Sequence, residues 1–204
     1  HHLSPTIIGL QETNKNWSCY DATIGRLKQS IHRRWPGSKL TTAHCSEDVF
    51  HGPSQPGGVA QMILRQLTAR VIKHGKDPYG RFTWHETMLD GTRNLLVVTA
   101  YRVSQRRIKG CGPTTSIMQQ WQQLRAKGVD NPNMQQQMLD DLATFLKPQI
   151  QAGNEVILMI DANDTIESRP MDEFLDSLDL WDLMADFLPT TPPPTYHRGS
   201  KKID

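Results

Sequence analysis

Two short apolar runs in this chain each stop at a carboxylate. Ile7-Ile8-Gly9-Leu10-Gln11-Glu12-Thr13 does so near the start, and Val156-Ile157-Leu158-Met159-Ile160-Asp161-Ala162-Asn163 does so near the end. Short apolar runs of this kind read as buried strands. The first polar side chain after such a strand emerges at the rim of a sheet, held by a rigid element yet open to solvent. Glu12 and Asp161 are therefore the first candidates for chemistry.

The chain has 204 residues and a mixed charge, which suits one folded domain, 1–204, with room for a substantial core. No stretch approaches the roughly 20 apolar residues that span a bilayer, so no membrane partner is expected. The first residues, His1-His2-Leu3-Ser4-Pro5, lack the basic and then apolar pattern of a secretory signal. Cys19, Cys45 and Cys111 are odd in number and far apart, unlike a zinc site or a disulfide framework. They point to a reducing, intracellular compartment, with the nucleus included. A net charge of +2 does not by itself argue for nucleic-acid binding, although Arg102, Arg106, Arg107 and Lys109 concentrate positive charge after an expected strand.

Strands and helices alternate without a linker. Asn14 or Asn16 can cap a helix that carries Ile24, Leu27 and Ile31 on one face and stops near Trp35, before Pro36-Gly37. Residues 39–45, 58–64, 67–73, 81–88 and 94–103 are rich in Thr, Val, Ile and aromatics, with turns at 76–78 and 90–91, and predict an antiparallel meander. Ile117, Trp121 and Leu124 then mark one helix, and Met138, Leu142, Phe145 and Leu146 another. The strings Gln119 to Gln123 and Gln135 to Gln137 are expected on their solvated faces. A short helix over 171–178 leads to Pro192-Pro193-Pro194, a stiff loop, and to a last expected strand over 195–204. This order predicts an α+β fold, a four-layer α/β/β/α sandwich of two mainly antiparallel sheets flanked by helices.

Five segments, Leu10-Gln11-Glu12-Thr13, Gly57-Gly58-Val59-Ala60, residues 97–102 (Val-Val-Thr-Ala-Tyr-Arg), Ile160-Asp161-Ala162-Asn163 and Lys202-Ile203-Asp204, resemble the successive motifs of the endonuclease/exonuclease/phosphatase superfamily. That group includes apurinic endonucleases, pancreatic deoxyribonuclease and the endonuclease domains of non-LTR retrotransposons. The order and spacing hold across nearly the whole chain. The resemblance implies that Glu12 binds Mg²⁺, or Mn²⁺ in its place, and that Asp161 orients or deprotonates the attacking water. It also implies that Asn163 holds a phosphate oxygen, that Tyr101 hydrogen-bonds the scissile phosphate or the leaving oxygen, and that Asp204 orients a catalytic histidine. A hard carboxylate suits Mg²⁺, and the Asp-x-Asn spacing puts both side chains on one side of an extended backbone.

The sequence departs from the family pattern at both ends. Eleven residues precede Glu12, without the asparagine strand that usually opens the family, and no Ser-Asp-His segment follows Asp204. The chain thus reads as a domain truncated at both ends, from which weak metal binding and little hydrolysis are expected. The basic Arg102, Arg106 and Arg107, followed by two Gln-rich helices, resemble endonuclease domains fused to a reverse transcriptase. DNA is then the implied partner, with one strand nicked to leave a 3′ hydroxyl. The alternatives are a phosphatase or phosphodiesterase on a small phosphoester, and a non-catalytic binding module of the same fold.

Competing motifs are incomplete. Leu40-Thr41-Thr42-Ala43-His44-Cys45 looks like the histidine segment of a serine protease, but no nucleophile segment follows. His85-Glu86 lacks a second histidine at helical spacing, and Gly57-Gly58 lacks a nucleotide-cradling lysine motif. The glycine pair instead suggests a close approach of backbones or substrate.

Overall fold

The computed structural model describes residues 4–18, 21–45, 52, 54–104, 108–165 and 168–183. The strands are β1 (Ile7–Leu10), β2 (Lys39–Ala43), β3 (Val59–Ile63), β4 (Val71–Lys76), β5 (Phe82–Met88), β6 (Asn94–Tyr101) and β7 (Glu155–Asp161). The α-helices are α1 (Asp21–Arg34), α2 (Ser116–Ala126), α3 (Met134–Gln151) and α4 (Arg169–Asp176). One sheet has the order β1-β3-β2 and is antiparallel throughout. The other has the order β4-β5-β6-β7, antiparallel except for the parallel pair β6–β7. The two sheets stack with β3 over β5 and β6, and β2 over β4 and β5. The expected α+β sandwich of two mainly antiparallel sheets flanked by helices is thus the observed one.

The two faces of the second sheet carry different chemistry, as the two-residue alternation of strands requires. Phe82, Leu96, Val98 and Ala100 face the helices and bury against Met138, Leu139, Leu142 and Leu146 of α3 and Met171 and Phe174 of α4. The intervening positions face the first sheet, and beside the apolar Val97 they include four polar residues, Thr83, His85, Thr87 and Thr99, all fully buried. Each buried polar group there needs a partner. Gln61 of β3 donates from Nε2 to the Val97 carbonyl at 3.2 Å and to Thr99 Oγ1 at 3.0 Å, and its Oε1 meets His85 Nδ1. His85 Nε2 meets Thr41 Oγ1 at 3.0 Å. Because the Gln61 oxygen can only accept, His85 carries its proton on Nδ1 and Thr41 donates to Nε2. The sheets approach so closely that a Cβ on Gly9 would lie 2.7 Å from Thr99 Oγ1.

Three expectations are corrected. The first helix begins at Asp21 instead of just after Asn14 or Asn16, because the backbone of residues 12–14 is committed elsewhere, as described below. Residues 67–73 are not one strand: Arg65–Arg70 form a 3-10 helix, entered through Arg65 at φ 59°, and β4 begins only at Val71. Gln119, Gln120 and Gln123 are buried. Gln119 accepts from Gln55 Nε2 at 2.7 Å and donates to the Pro56 and Thr114 carbonyls at 3.2 and 2.9 Å, so it braces the loop that leads into Gly57. Among the described residues no helix is long and apolar enough to cross a membrane.

Candidate active site

β1 stops at Leu10 because the chain turns sharply after it. Glu12 and Asn14 adopt positive φ angles of 46° and 52°, which end the extended run and lift the Glu12 carboxylate into solvent. The turn is pinned from the side. Thr13 and Asn14 donate their N–H groups to the Gly58 and Gly57 carbonyls at 3.0 and 2.8 Å, and the Gly57 N–H returns a bond to Asn14 Oδ1 at 2.9 Å. Gly57 itself has φ 88°, and a Cβ there would lie 3.0 Å from Ser116 Cβ and 3.8 Å from the Tyr101 ring. The expected close approach at the glycine pair is therefore one of backbone to the Tyr101 ring and the start of α2.

β6 and β7 end side by side. Their parallel register puts Tyr101 opposite Asp161. Beyond it, Arg102 N–H donates to the Asp161 carbonyl at 2.9 Å. Asn163 lies one turn further on at φ 48°, its N–H on Asp161 Oδ1 at 3.3 Å and its Nδ2 on the Arg102 carbonyl at 2.8 Å. Gln11 Nε2 reaches the Met159 carbonyl at 3.4 Å, joining the end of β1 to β7. Glu12, Tyr101, Asp161 and Asn163 thus converge on one end of the sandwich.

Tyr101 sits at the centre of this group. Its side chain is 3% exposed, and burial, followed by the charge of Glu12, pushes its phenol up to about 12. Ser116 opposes the shift by bonding the phenolic oxygen, and Asp161 adds to it. At neutral pH the hydroxyl is protonated and donates to Glu12.

The residues fit a hydrated divalent cation. Glu12 is exposed, has no ion pair among the described residues, and shares the Tyr101 hydroxyl with the field of a second carboxylate, Asp161. Mg²⁺ is commonly held by one or two carboxylates with water and a phosphate completing its shell. No group of three or more His, Cys, Asp or Glu side chains gathers among the described residues, and Glu12 is the exposed carboxylate here that could hold such an ion.

The expected nucleic-acid contact at Arg102 is corrected. Its side chain is 3% exposed, and its guanidinium donates to Asp164 Oδ2 at 2.9 Å, to the Ala162 carbonyl at 3.3 Å and to the Gln135 carbonyl at 3.3 Å. It clamps the loop that carries Asp161 and Asn163, and turns no face toward a phosphate backbone. Arg106, Arg107 and Asp204 lie outside the described residues. Sequence reasoning missed Ser116 and the Arg102–Asp164 pair, and it read Asn14 as a helix cap where the structure bonds it to Gly57. Asn14 had one legible signal, since Asn tolerates positive φ better than other side-chain-bearing residues.

No family model and no curated protein matches this sequence. Among solved structures, the human nocturnin catalytic domain with bound sulfate is similar at a TM-score of 0.60 and 16% identity, over 97% of this chain and 67% of that one. Sphingomyelinase C from Streptomyces griseocarneus is similar at a TM-score of 0.50 and 16% identity, over 88% of this chain and 59% of that one. The chain therefore shares the helix-flanked, two-sheet α+β fold of these structures, the fold that the resemblance of its motifs implies.

Proposed function

We propose that this chain is a metal-dependent phosphodiester hydrolase whose substrate is DNA, one strand of which it nicks. The observation that supports the reading is the meeting of Glu12, Tyr101 and Asp161 at one end of the sandwich, with both carboxylates acting on the Tyr101 hydroxyl. Water adds to phosphorus opposite the departing 3′ oxygen and gives up a proton to Asp161, while the P–O3′ bond breaks. Tyr101 remains protonated and turns its single O–H from Glu12 to the phosphate or the departing oxygen, which takes up its proton from solvent. Asn163 spends one amide N–H on the Arg102 carbonyl and keeps a second for a phosphate oxygen. Glu12 would hold the metal, which neutralises charge on the phosphate when bound.

DNA as substrate rests on the motif resemblance to retroelement endonuclease domains. A small phosphoester is the second reading, favoured by the inward turn of the Arg102 guanidinium onto Asp164. Sphingomyelinase C, one of the similar structures, is named for such a substrate. The deciding experiment incubates the full protein with supercoiled plasmid or with bis(p-nitrophenyl) phosphate, in Mg²⁺ with and without chelator. Chelator-sensitive open circles support the endonuclease. Turnover of the small diester alone moves the chain to the second reading, and silence in both overturns hydrolysis in favour of a binding module.

A further inference from the structure

A cleft of about 210 Å³ opens on the edge of the sandwich where α1 meets β2 and β4. Its polar lining comes from three separate elements: Lys28 and His32 on α1, Ser38 and Lys39 at the start of β2, and His74 on β4. No carboxylate lines it, and Lys28, His32 and Lys39 have no ion pair among the described residues. Ser38 is 5% exposed and stands in the cleft wall, and its buried hydroxyl has no hydrogen-bond partner among the described residues.

Each of these facts runs against the usual economy of a protein surface. Gathering like charges without a counter-charge raises the energy of the folded state. A buried hydroxyl without a partner leaves its desolvation uncompensated. The basic last turn of α1 has an ordinary explanation in the helix dipole, but Lys39 and His74 stand on strands and have none of that kind. The positive field also reaches inward, since His74 and Lys39 both help to keep the buried His85 uncharged. A bound oxyanion would neutralise the lysines, and a turn of the Ser38 side chain toward the cleft would let it accept from Oγ as well.

We propose that this cleft is a second anion site, built for a phosphate group and separate from the candidate active site. A tetrahedral phosphate offers several acceptor oxygens to donors that arrive from three directions, and lysine is a common point-charge binder of it. The cleft lies below the roughly 300–1,000 Å³ of ordinary organic-ligand pockets, which suits a single phosphate group. It also lies away from the chemistry. β2 runs from Lys39 to Ala43, whose carbonyl lies beside Gly58, so the two sites are separated by roughly 13 Å of strand.

The test follows the His32 and His74 ring resonances of the full protein by NMR while inorganic phosphate is added at constant ionic strength, with chloride as control. Saturable shifts at both rings are expected. Lys39→Glu is expected to weaken binding by about tenfold or more, Ser38→Ala by less, and Glu12→Gln not at all. Should Lys39→Glu fail to fold, the exposed Lys28→Glu reports instead. Adenosine 5′-monophosphate, adenosine and phosphate compared in turn identify the source: tighter binding of the nucleotide means a terminal phosphate on a larger ligand, and equal binding means the free ion. Shifts reproduced by chloride, or unchanged in both charge-reversal variants, overturn the site.

Discussion

Tyr101 stands directly opposite Asp161 where the parallel strands β6 and β7 end, and the Arg102 N–H closes the pair by donating to the Asp161 carbonyl at 2.9 Å. A slip of one residue in that register would turn either side chain to the other face of the sheet. The relation between phenol and carboxylate is thus set by the buried body of the sheet, where Leu96, Val98 and Ala100 lock β6 against α3. The groups at the rim add little to that lock, which separates the chemistry from the stability of the fold.

Asp161→Asn is therefore expected to lower phosphodiester turnover by about 10²–10⁴-fold, the usual contribution of a general base, while leaving the melting temperature nearly unchanged. The substitution keeps the oxygen that accepts from the Asn163 N–H. Turnover and thermal unfolding of the same preparation check it. Undiminished turnover removes Asp161 from the role proposed for it.

Arg102→Leu should act in the opposite way. It leaves Asp164 without the guanidinium at 2.9 Å and releases two backbone carbonyls, those of Ala162 and Gln135. Breaking a buried pair typically costs about 3–5 kcal/mol, and the partial exposure of Asp164 places this one near the lower bound. Urea unfolding measures the loss. Weakened DNA binding with unchanged stability would instead return Arg102 to a nucleic-acid contact.

The strand ends were legible in the sequence because Glu12, Tyr101 and Asp161 fall where apolar runs stop, although β1 and β7 are edge strands only partly buried, with Leu10 and Ile157 exposed, instead of the buried strands expected. What was not legible depends on partners distant in sequence. Arg102 looks like any basic residue until Asp164 and the Gln135 carbonyl close around it. Gln119 reads as a solvated residue, yet its amide is satisfied in the interior by Gln55 and two carbonyls. The β-rich composition of residues 67–73 concealed a 3-10 turn that tertiary packing imposes, since propensity is a weak guide where context decides.

Gly57→Ala is expected to destabilise the fold by about 1–2 kcal/mol from backbone conformation alone, because Gly57 sits at φ 88°. The added Cβ would also press on Ser116 Cβ at 3.0 Å, beside the hydroxyl that bonds Tyr101. Adding Ser116→Gly relieves the clash and leaves the backbone strain, so the double variant should recover only part of the loss in thermal unfolding. Full recovery would show that the conformation of Gly57 costs nothing.

His85 links stability to pH from the space between the sheets. Burial, then the charges of His74 and Lys39, lower it from 6.5 to about 4. With the folded value below the unfolded one, the unfolded chain takes up the proton first as the solution is acidified. The contribution to stability is whole above about 6.5 and drains as pH falls toward about 4, for a total of roughly 3 kcal/mol. The structural reason is that His85 already uses both nitrogens, Nδ1 toward Gln61 and Nε2 toward Thr41, so a second proton would break the Thr41 bond or force its hydroxyl to turn. Urea unfolding at several pH values between neutral and about 4.5 should show this slope in the parent protein and a flatter one in His85→Gln. Equal slopes in the two proteins would mean that the acid sensitivity arises elsewhere, and that the inter-sheet layer accommodates a charged imidazole.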